Sequence, residues 1–350
     1  MTPKRLTLIT LLIALLIPAP RAAAAPRATF TLIVHSIFTL VSPQDNAPAT
    51  YSIFKDETYP IIARNAQSTW VQLELIGADK EAWVRVEYGI VKGNLGDAPI
   101  KGDKGVAATT PKPPPPNKNV LPAISARARD IYQTGLLIGN NPRAFSKIGD
   151  CNSVTPFFLA PFDSGDYRLG EYKDLQETIN YFAGSFARDG MTARVGFNTA
   201  SLFSRMWADP NLCKGENPIE CEYRLHRPSI AFVSLGTNGA WLTSVDYEYG
   251  MRNVIDYLIA HGVVPILSTK ADDLDEGRFN PIVIKLAREY DVPLWNYRAA
   301  VEHLSNFGLG EDAFHLTWGA PYFDQPLFAA WQWRNLTALQ SLDAVWRGVR

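Results

Sequence analysis

At 350 residues, with 47% hydrophobic and 20% charged side chains, the chain has apolar mass for a full core and length for roughly two domains. Its 34 basic and 35 acidic side chains leave a formal charge of −1, and no long Lys/Arg run occurs. That excludes nucleic acid as a partner on charge grounds.

The first residues read as a secretory signal. Lys4 and Arg5 precede an apolar run from Leu6 to Ile17; Pro18 and Pro20 break it, and Ala22 to Ala25 supply small residues for cleavage, expected after Ala24. Residues 1–25 are therefore read as the signal segment. The alternative is a membrane anchor, for which the run is short. No later run is apolar and long enough to span, so no membrane span is expected after signal removal. The expected location is secreted or at the cell envelope.

From 27 to 100 the pattern is all-β. Short alternating runs at 29–34, 60–64, 70–75 and 82–88 are separated by polar breaks. The order Tyr59-Pro60, then Asn65 to Trp70, then Ala82-Trp83 resembles the bacterial SH3-like module of secreted and cell-wall enzymes. That resemblance implies a small β-barrel and a possible cell-envelope ligand. Trp70 and Trp83 are read as core rather than as a ligand platform, and His35 as a packed histidine. Residues 101–119, with the run Pro113 to Pro116, read as a semi-rigid linker of polyproline character.

From 120 to 350, helix and strand signals alternate. Ser125 is placed to cap a helix reaching about Ile138, closed by Gly139. A strand at 144–148 leads into Gly149-Asp150-Cys151-Asn152-Ser153. A helix is expected at 175–186, a short strand at 192–195 ending at Gly196, and a buried strand at 229–235. Helix 246–260 then ends at His261-Gly262; strand 263–268, helix 281–290, strand 292–296 and an apolar helical region at 327–345 complete the pattern. Such alternation argues for a parallel sheet covered on both faces. The aromatic stripe Trp331, Trp333 and Trp346 reads as core.

Three cysteines are an odd number for an exported chain. Cys213 and Cys221 lie in a polar Gly/Pro loop where a local disulfide would staple an insertion; a metal clip is the alternative, without a second ligand pair. Cys151 is left over, in the turn that follows a strand. Acyl transfer needs a nucleophile, a base, a group orienting the base, and donors for the oxyanion. Cys151 is the candidate nucleophile. Asp312 and His315, three apart, can pair so that the carboxylate holds Nδ1 and leaves Nε2 free. Asn238 can offer its side-chain amide, and Gly196 and the Cys151 N–H can add two donors. Gly190 is an alternative to Gly196.

Taken in order, Gly149-Asp150-Cys151, Gly196, Gly236-Thr237-Asn238 and Asp312-x-x-His315 resemble the four sequence blocks of the SGNH (GDSL-like) hydrolases. The resemblance implies a flavodoxin-like α/β/α sandwich with a parallel sheet, no cofactor and no metal, and hydrolysis of a small ester or an acylated glycan. Two departures stand out. Gly239 follows Asn238 where the family usually has Asp, and Cys151 occupies the position of the usual Ser. Cys151 as a working thiol, Ser153 as a shifted nucleophile, and an inactive scaffold binding a glycan or envelope component are the competing readings. Asp150 is read as an acceptor supporting the turn. The acidic run Asp272, Asp273, Asp275 and Glu276 reads as a solvated turn rather than a calcium loop. His226, His261 and His303 are assigned no role in the site.

Overall fold

Alternation of apolar and polar side chains builds the first half of the chain. The computed structural model describes residues 27–33, 36–44, 47, 49–101, 120–154, 156–239, 242–273 and 277–350. The signal segment expected at 1–25, the linker prolines and His35 lie outside the described residues. Strands β1 (Thr29–Leu32), β2 (Ser36–Leu40), β3 (Ala49–Phe54), β4 (Thr58–Arg64), β5 (Trp70–Leu73), β6 (Trp83–Arg85) and β7 (Gly89–Lys92) form one antiparallel sheet in the order β3-β2-β6-β5-β4-β1-β7. In β1, Phe30 and Leu32 are buried while Thr29 and Thr31 are only partly so, the period of two that a one-sided sheet requires. With Ile61, Val71, Leu73 and Val84 they make a local core. Trp70 and Trp83 are buried beside Ala63. An SH3-like barrel is not shown: among the described residues no pairing joins β3 to β7.

The second half alternates as expected. Helix α1 (Ala126–Leu137) is followed by β8 (Asn141–Gly149), the short helices α2 (Pro161–Ser164) and α3 (Gln176–Tyr181), α4 (Pro218–His226) and β9 (Pro228–Ser234). Then come α5 (Ser244–Ala260), β10 (Val264–Ser268), α6 (Asn280–Glu289), β11 (Leu294–Trp295), α7 (Tyr297–Val301) and α8 (Ala330–Val349). Ser125 caps α1, its Oγ accepting from Ala128 N at 3.1 Å, and Gly139 at φ +87° turns the chain away.

Strands β8 to β11 form a parallel sheet in the order β11-β10-β9-β8. Ala193 adds a parallel bridge to Gly149 on the free edge of β8. The strand expected at 192–195 is reduced to this one bridge, since Gly196 at φ +90° turns the chain away; counting the bridge with the strands gives the order 2-1-3-4-5, that of a doubly wound sheet with its switch point between β8 and β9. All seven residues of β9 are buried, as in a strand covered on both faces. Trp331, Trp333 and Trp346 are core residues, and Trp318 and Phe328 also pack against the core of the antiparallel sheet.

Two further local expectations are corrected. The helix expected at 175–186 ends at Tyr181: Gly184 adopts φ +90°, and the Asp163 carboxylate accepts from Gly184 N and Ala187 N, both at 2.8 Å, outside any helix. The loop read around Cys213 and Cys221 is half helix. Asn217 caps α4 by accepting from Glu220 N at 3.1 Å, while Glu220 accepts from Asn217 N at 3.0 Å, and Pro218 occupies the first turn. The disulfide Cys213–Cys221 is formed and ties the preceding loop to this helix.

Candidate active site

The site begins where β8 ends. A side chain at Gly149 would meet Ser153 Oγ at 2.1 Å and Ser234 O at 2.8 Å, so only glycine lets the next turn fold back onto the strand. That turn is a single 3-10 turn, Cys151–Ser153, with Asp150 at its N-cap. Asp150 is fully buried. Its Oδ1 accepts from Asn152 N at 3.2 Å; its Oδ2 accepts from Thr237 N at 3.0 Å and from Lys270 Nζ at 2.8 Å. The carboxylate expected to support the turn thus also locks it to the loop after β9 and to the end of β10. Cys151 is a free thiol and half-buried. Ser153 is buried against Gly149, with Arg334 Nη2 donating to it at 3.4 Å, so the shifted nucleophile faces inward.

The loop after β9 turns at Gly236, φ +142°, and presents Asn238, whose Nδ2 is buried and has no hydrogen-bond partner among the described residues. Gly196, φ +90°, lies three residues past the Ala193 bridge on the same edge of the sheet. Gly190 does not belong here; a Cβ on it would meet the Glu222 carboxylate at 2.9 Å.

Asp312 and His315 pair as their spacing predicts. Asp312 Oδ2 lies 2.6 Å from His315 Nδ1, and Oδ1 accepts from Phe314 N and His315 N, both at 3.0 Å. Burial pushes the Asp312 carboxyl up, but the His315 ring and these two N–H donors outweigh it and hold the group below its ordinary value. Donation from Nδ1–H leaves Nε2 as the basic nitrogen. The imidazole is 65% exposed.

Asn152 joins the pieces. Its Nδ2 donates to Thr237 Oγ1 at 3.4 Å and to Phe314 O at 3.5 Å, so the residue after Cys151 touches both the Asn238 loop and the His315 loop. Among the described residues no hydrogen bond joins Cys151 Sγ to His315. The thiol is pushed up to about 11, first by burial and then by the Asp150 charge, with Lys270 acting in the opposite direction.

No family model and no curated protein matches the chain. Among solved structures it is similar to a protein put in the lipolytic G-D-S-L family from Desulfitobacterium hafniense, at 11% identity over 57% of this chain and 99% of that one, TM-score 0.36. It is similar also to the psychrotrophic esterase EstA from Pseudoalteromonas sp. (10%; 57% and 97%; 0.36) and to a GDSL-like lipase from Bacteroides thetaiotaomicron (12%; 62% and 98%; 0.34). Likenesses this distant decide nothing about the chemistry, which stands on the geometry of the site.

Beneath the turn lie charged residues that the sequence did not single out. Arg334, on α8, is fully buried; its Nε donates to Asn152 O at 3.0 Å and its Nη2 to Ser234 Oγ at 3.1 Å. Its guanidinium carbon lies 4.6 Å from the Phe158 ring, 5.1 Å from Tyr297 and 5.2 Å from Trp295. Lys270 is equally buried. The acidic run is not the solvated turn expected: Asp272 and Asp273 are buried, and Asp273 accepts from Phe279 N at 2.9 Å and Asn280 N at 2.6 Å at the start of α6. Asp275 and Glu276 lie outside the described residues. Among the described residues no cluster of three or more His, Cys, Asp or Glu side chains could hold a metal ion. The other described histidines lie elsewhere: His226 Nε2 contacts Phe145 O at 3.1 Å, His261 caps α5, and His303 packs on Trp333.

Proposed function

We propose that the chain is an exported esterase that cleaves small carboxylic esters or acylated carbohydrates through Cys151. The observation that carries this reading is the double contact of Asn152 with Thr237 and Phe314. It sets the turn that carries Cys151 beside the loops that carry Asn238 and His315, at the carboxyl end of the parallel sheet, where open α/β sheets bind their ligands, and this supports the reading.

In the reaction, Sγ attacks the ester carbonyl carbon while His315 Nε2 takes the thiol proton. Asp312 keeps Nδ1 protonated and supports the imidazolium. The carbonyl electrons move onto oxygen, and the Cys151 N–H, the Gly196 N–H and Asn238 Nδ2 receive that charge. Collapse breaks the carbon–oxygen bond, and His315 returns its proton to the departing alcohol. Water, deprotonated by the same Nε2, then attacks the thioester carbonyl; the carbon–sulfur bond breaks, the acid leaves, and the Nε2 proton returns to Sγ. A thiol held near 11 makes the base indispensable at neutral pH. In this reading residues 27–100 are an SH3-like module that retains the enzyme at an envelope ligand, and residues 101–119 are the spacer between this module and the hydrolase domain at 120–350.

The same high thiol value and the exposed His315 ring favour a second reading, a non-catalytic protein that binds a glycan or envelope component in this cleft. Hydrolysis of p-nitrophenyl acetate separates the two. The first requires turnover that iodoacetamide, Cys151→Ala and His315→Ala each abolish. A wild-type protein without turnover, in which Cys151→Ser creates it, would favour the second, with the site geometry kept.

A further inference from the structure

We propose that the antiparallel sheet β1–β7 buttresses the loop that carries His315, with Trp318 and Arg85 as positioning residues: docked against Trp318 and Phe328, the sheet holds that loop beside the segment that follows Cys151. Only the kinetic part of the test rests on the proposed role of His315.

The loop is short and closes on itself. Leu309 and Leu316 form an antiparallel bridge, Gly310 N donates to His315 O at 2.9 Å, and Thr317 N donates to Gly308 O at 2.8 Å. Beyond that stem the Asp312 and His315 side chains stand 44% and 65% exposed. A segment with few buried contacts opens at low free energy, so its position is set where its stem is packed. Thr317 ties the stem to α8, its Oγ1 accepting from Ala330 N at 3.0 Å and its carbonyl from Trp331 N at 3.1 Å. Trp318 then leaves the stem between two bodies. On one side its ring meets Phe157, on the segment that follows the Cys151 turn, edge to face at 5.3 Å. On the other it packs against the core of the antiparallel sheet. Its Nε1 is buried without a partner among the described residues, so packing orients the ring.

The sheet grips the same stretch of chain a second time. Phe328, just before α8, has its ring centroid 6.3 Å from that of Tyr88 and 5.2 Å from the Arg85 guanidinium carbon. That carbon also lies 5.0 Å from the ring of Trp70, a core residue of the sheet. Arg85, at the end of β6 and with a side chain only 17% exposed, thus stacks between the sheet and the segment that joins His315 to α8. The chain on either side of residues 102–119 is fixed as well: Lys101 N donates to Arg64 O and Asn296 N donates to Val120 O, each at 2.9 Å. Retention at an envelope ligand would need none of these contacts. Together they make a continuous packed path from the sheet through Trp318 to the stem of the His315 loop.

The test is amide hydrogen exchange on the full chain, read by mass spectrometry of peptides covering 308–317 and α5. Arg85→Ala is expected to speed exchange in 308–317 about two- to fivefold, the range that a partly exposed cation–ring contact is worth, and to leave α5 unchanged. Arg85→Lys, which keeps the cation, should restore part of the protection. Trp318→Ala should lower kcat for p-nitrophenyl acetate by up to about 10²-fold, the cost of a misplacement of about 1 Å, with KM little changed; Trp318→Phe should recover part of it. If Trp318→Ala does not fold, the exchange result for Arg85→Ala decides; if Arg85→Ala does not fold, Phe328→Leu, on the other side of the contact, takes its place. Exchange in 308–317 that superimposes on the wild type, or that rises equally in α5, overturns the proposal, as does an unchanged kcat in a folded Trp318→Ala. Absence of ester turnover in the wild type sinks the esterase reading instead and leaves the exchange result standing.

Discussion

Asn238 allows catalysis and folding to be separated by one substitution. Its Nδ2 is buried without a partner among the described residues, so Asn238→Ala removes no hydrogen bond donated by that nitrogen to them. A buried donor left unsatisfied costs the folded state about 1–3 kcal/mol, and deleting it returns some of that, less the contacts of a half-buried side chain. The expected Tm is therefore unchanged or higher by a few degrees, at about 2–4 °C per kcal/mol for a domain of this size class. If the amide receives the developing oxyanion, kcat falls about 10²–10³-fold, equivalent to about 2.7–4 kcal/mol of lost transition-state stabilisation. KM should barely move, because the charge is absent from the ground state. The assay is p-nitrophenyl acetate hydrolysis beside thermal unfolding. A kcat within threefold of wild type in a folded variant would refute the oxyanion role. A Tm lowered by more than about 5 °C would show that the amide holds structure instead.

Asp312→Asn is expected to reduce kcat by about 10²-fold or more, since the base loses its oriented tautomer; with the pair 44% and 65% exposed, Tm should change by no more than a couple of degrees, and paired kinetic and melting measurements check both. Glu222→Gln acts on stability. This carboxylate accepts from Ser146 Oγ and Arg188 Nη1 at 2.5 Å and from Met191 N at 2.8 Å, and breaking such a buried pair costs about 3 kcal/mol. Burial raises the Glu222 carboxyl, but Arg188, Ser146 and Met191 N–H outweigh it and hold the group below 4.5. Its contribution is therefore full above pH 4.5 and lost as pH falls through the depressed folded value, so the Tm gap between wild type and variant should close on acidification. Replacing Cys213 and Cys221 together with Ala reopens a loop of sequence separation 8 and should cost about 2–3 kcal/mol, readable as a lower urea midpoint with an unchanged slope.

How far the sequence reached depends on the range of the cause. Local causes were legible. Ser125 before an apolar period gave α1, the unbroken apolar run before Ser234 gave β9, and Asp312 three residues before His315 gave a carboxylate on Nδ1, because each depends on neighbours within a turn or a strand. α4 was missed because Cys213, Gly215 and Pro218 read as loop, although Asn217 and Glu220 already formed a capping box.

The site divides in the same way. Period, capping residues and the order of short motifs were enough to set the α/β alternation, the parallel sheet and the carboxyl edge on which Cys151 and Asn238 stand. Nothing in the chain near Lys270, Asp272 or Arg334 marks them as interior, since charged side chains are rarely buried and their free energy favours water. Only the folded chain decided that Lys270 faces Asp150 from 120 positions away and that Arg334 reaches Asn152 from 182 positions away. The physical reason is that a buried charge is tolerable only beside its partner, and that partner is supplied by chain segments that meet only when the whole sheet has formed.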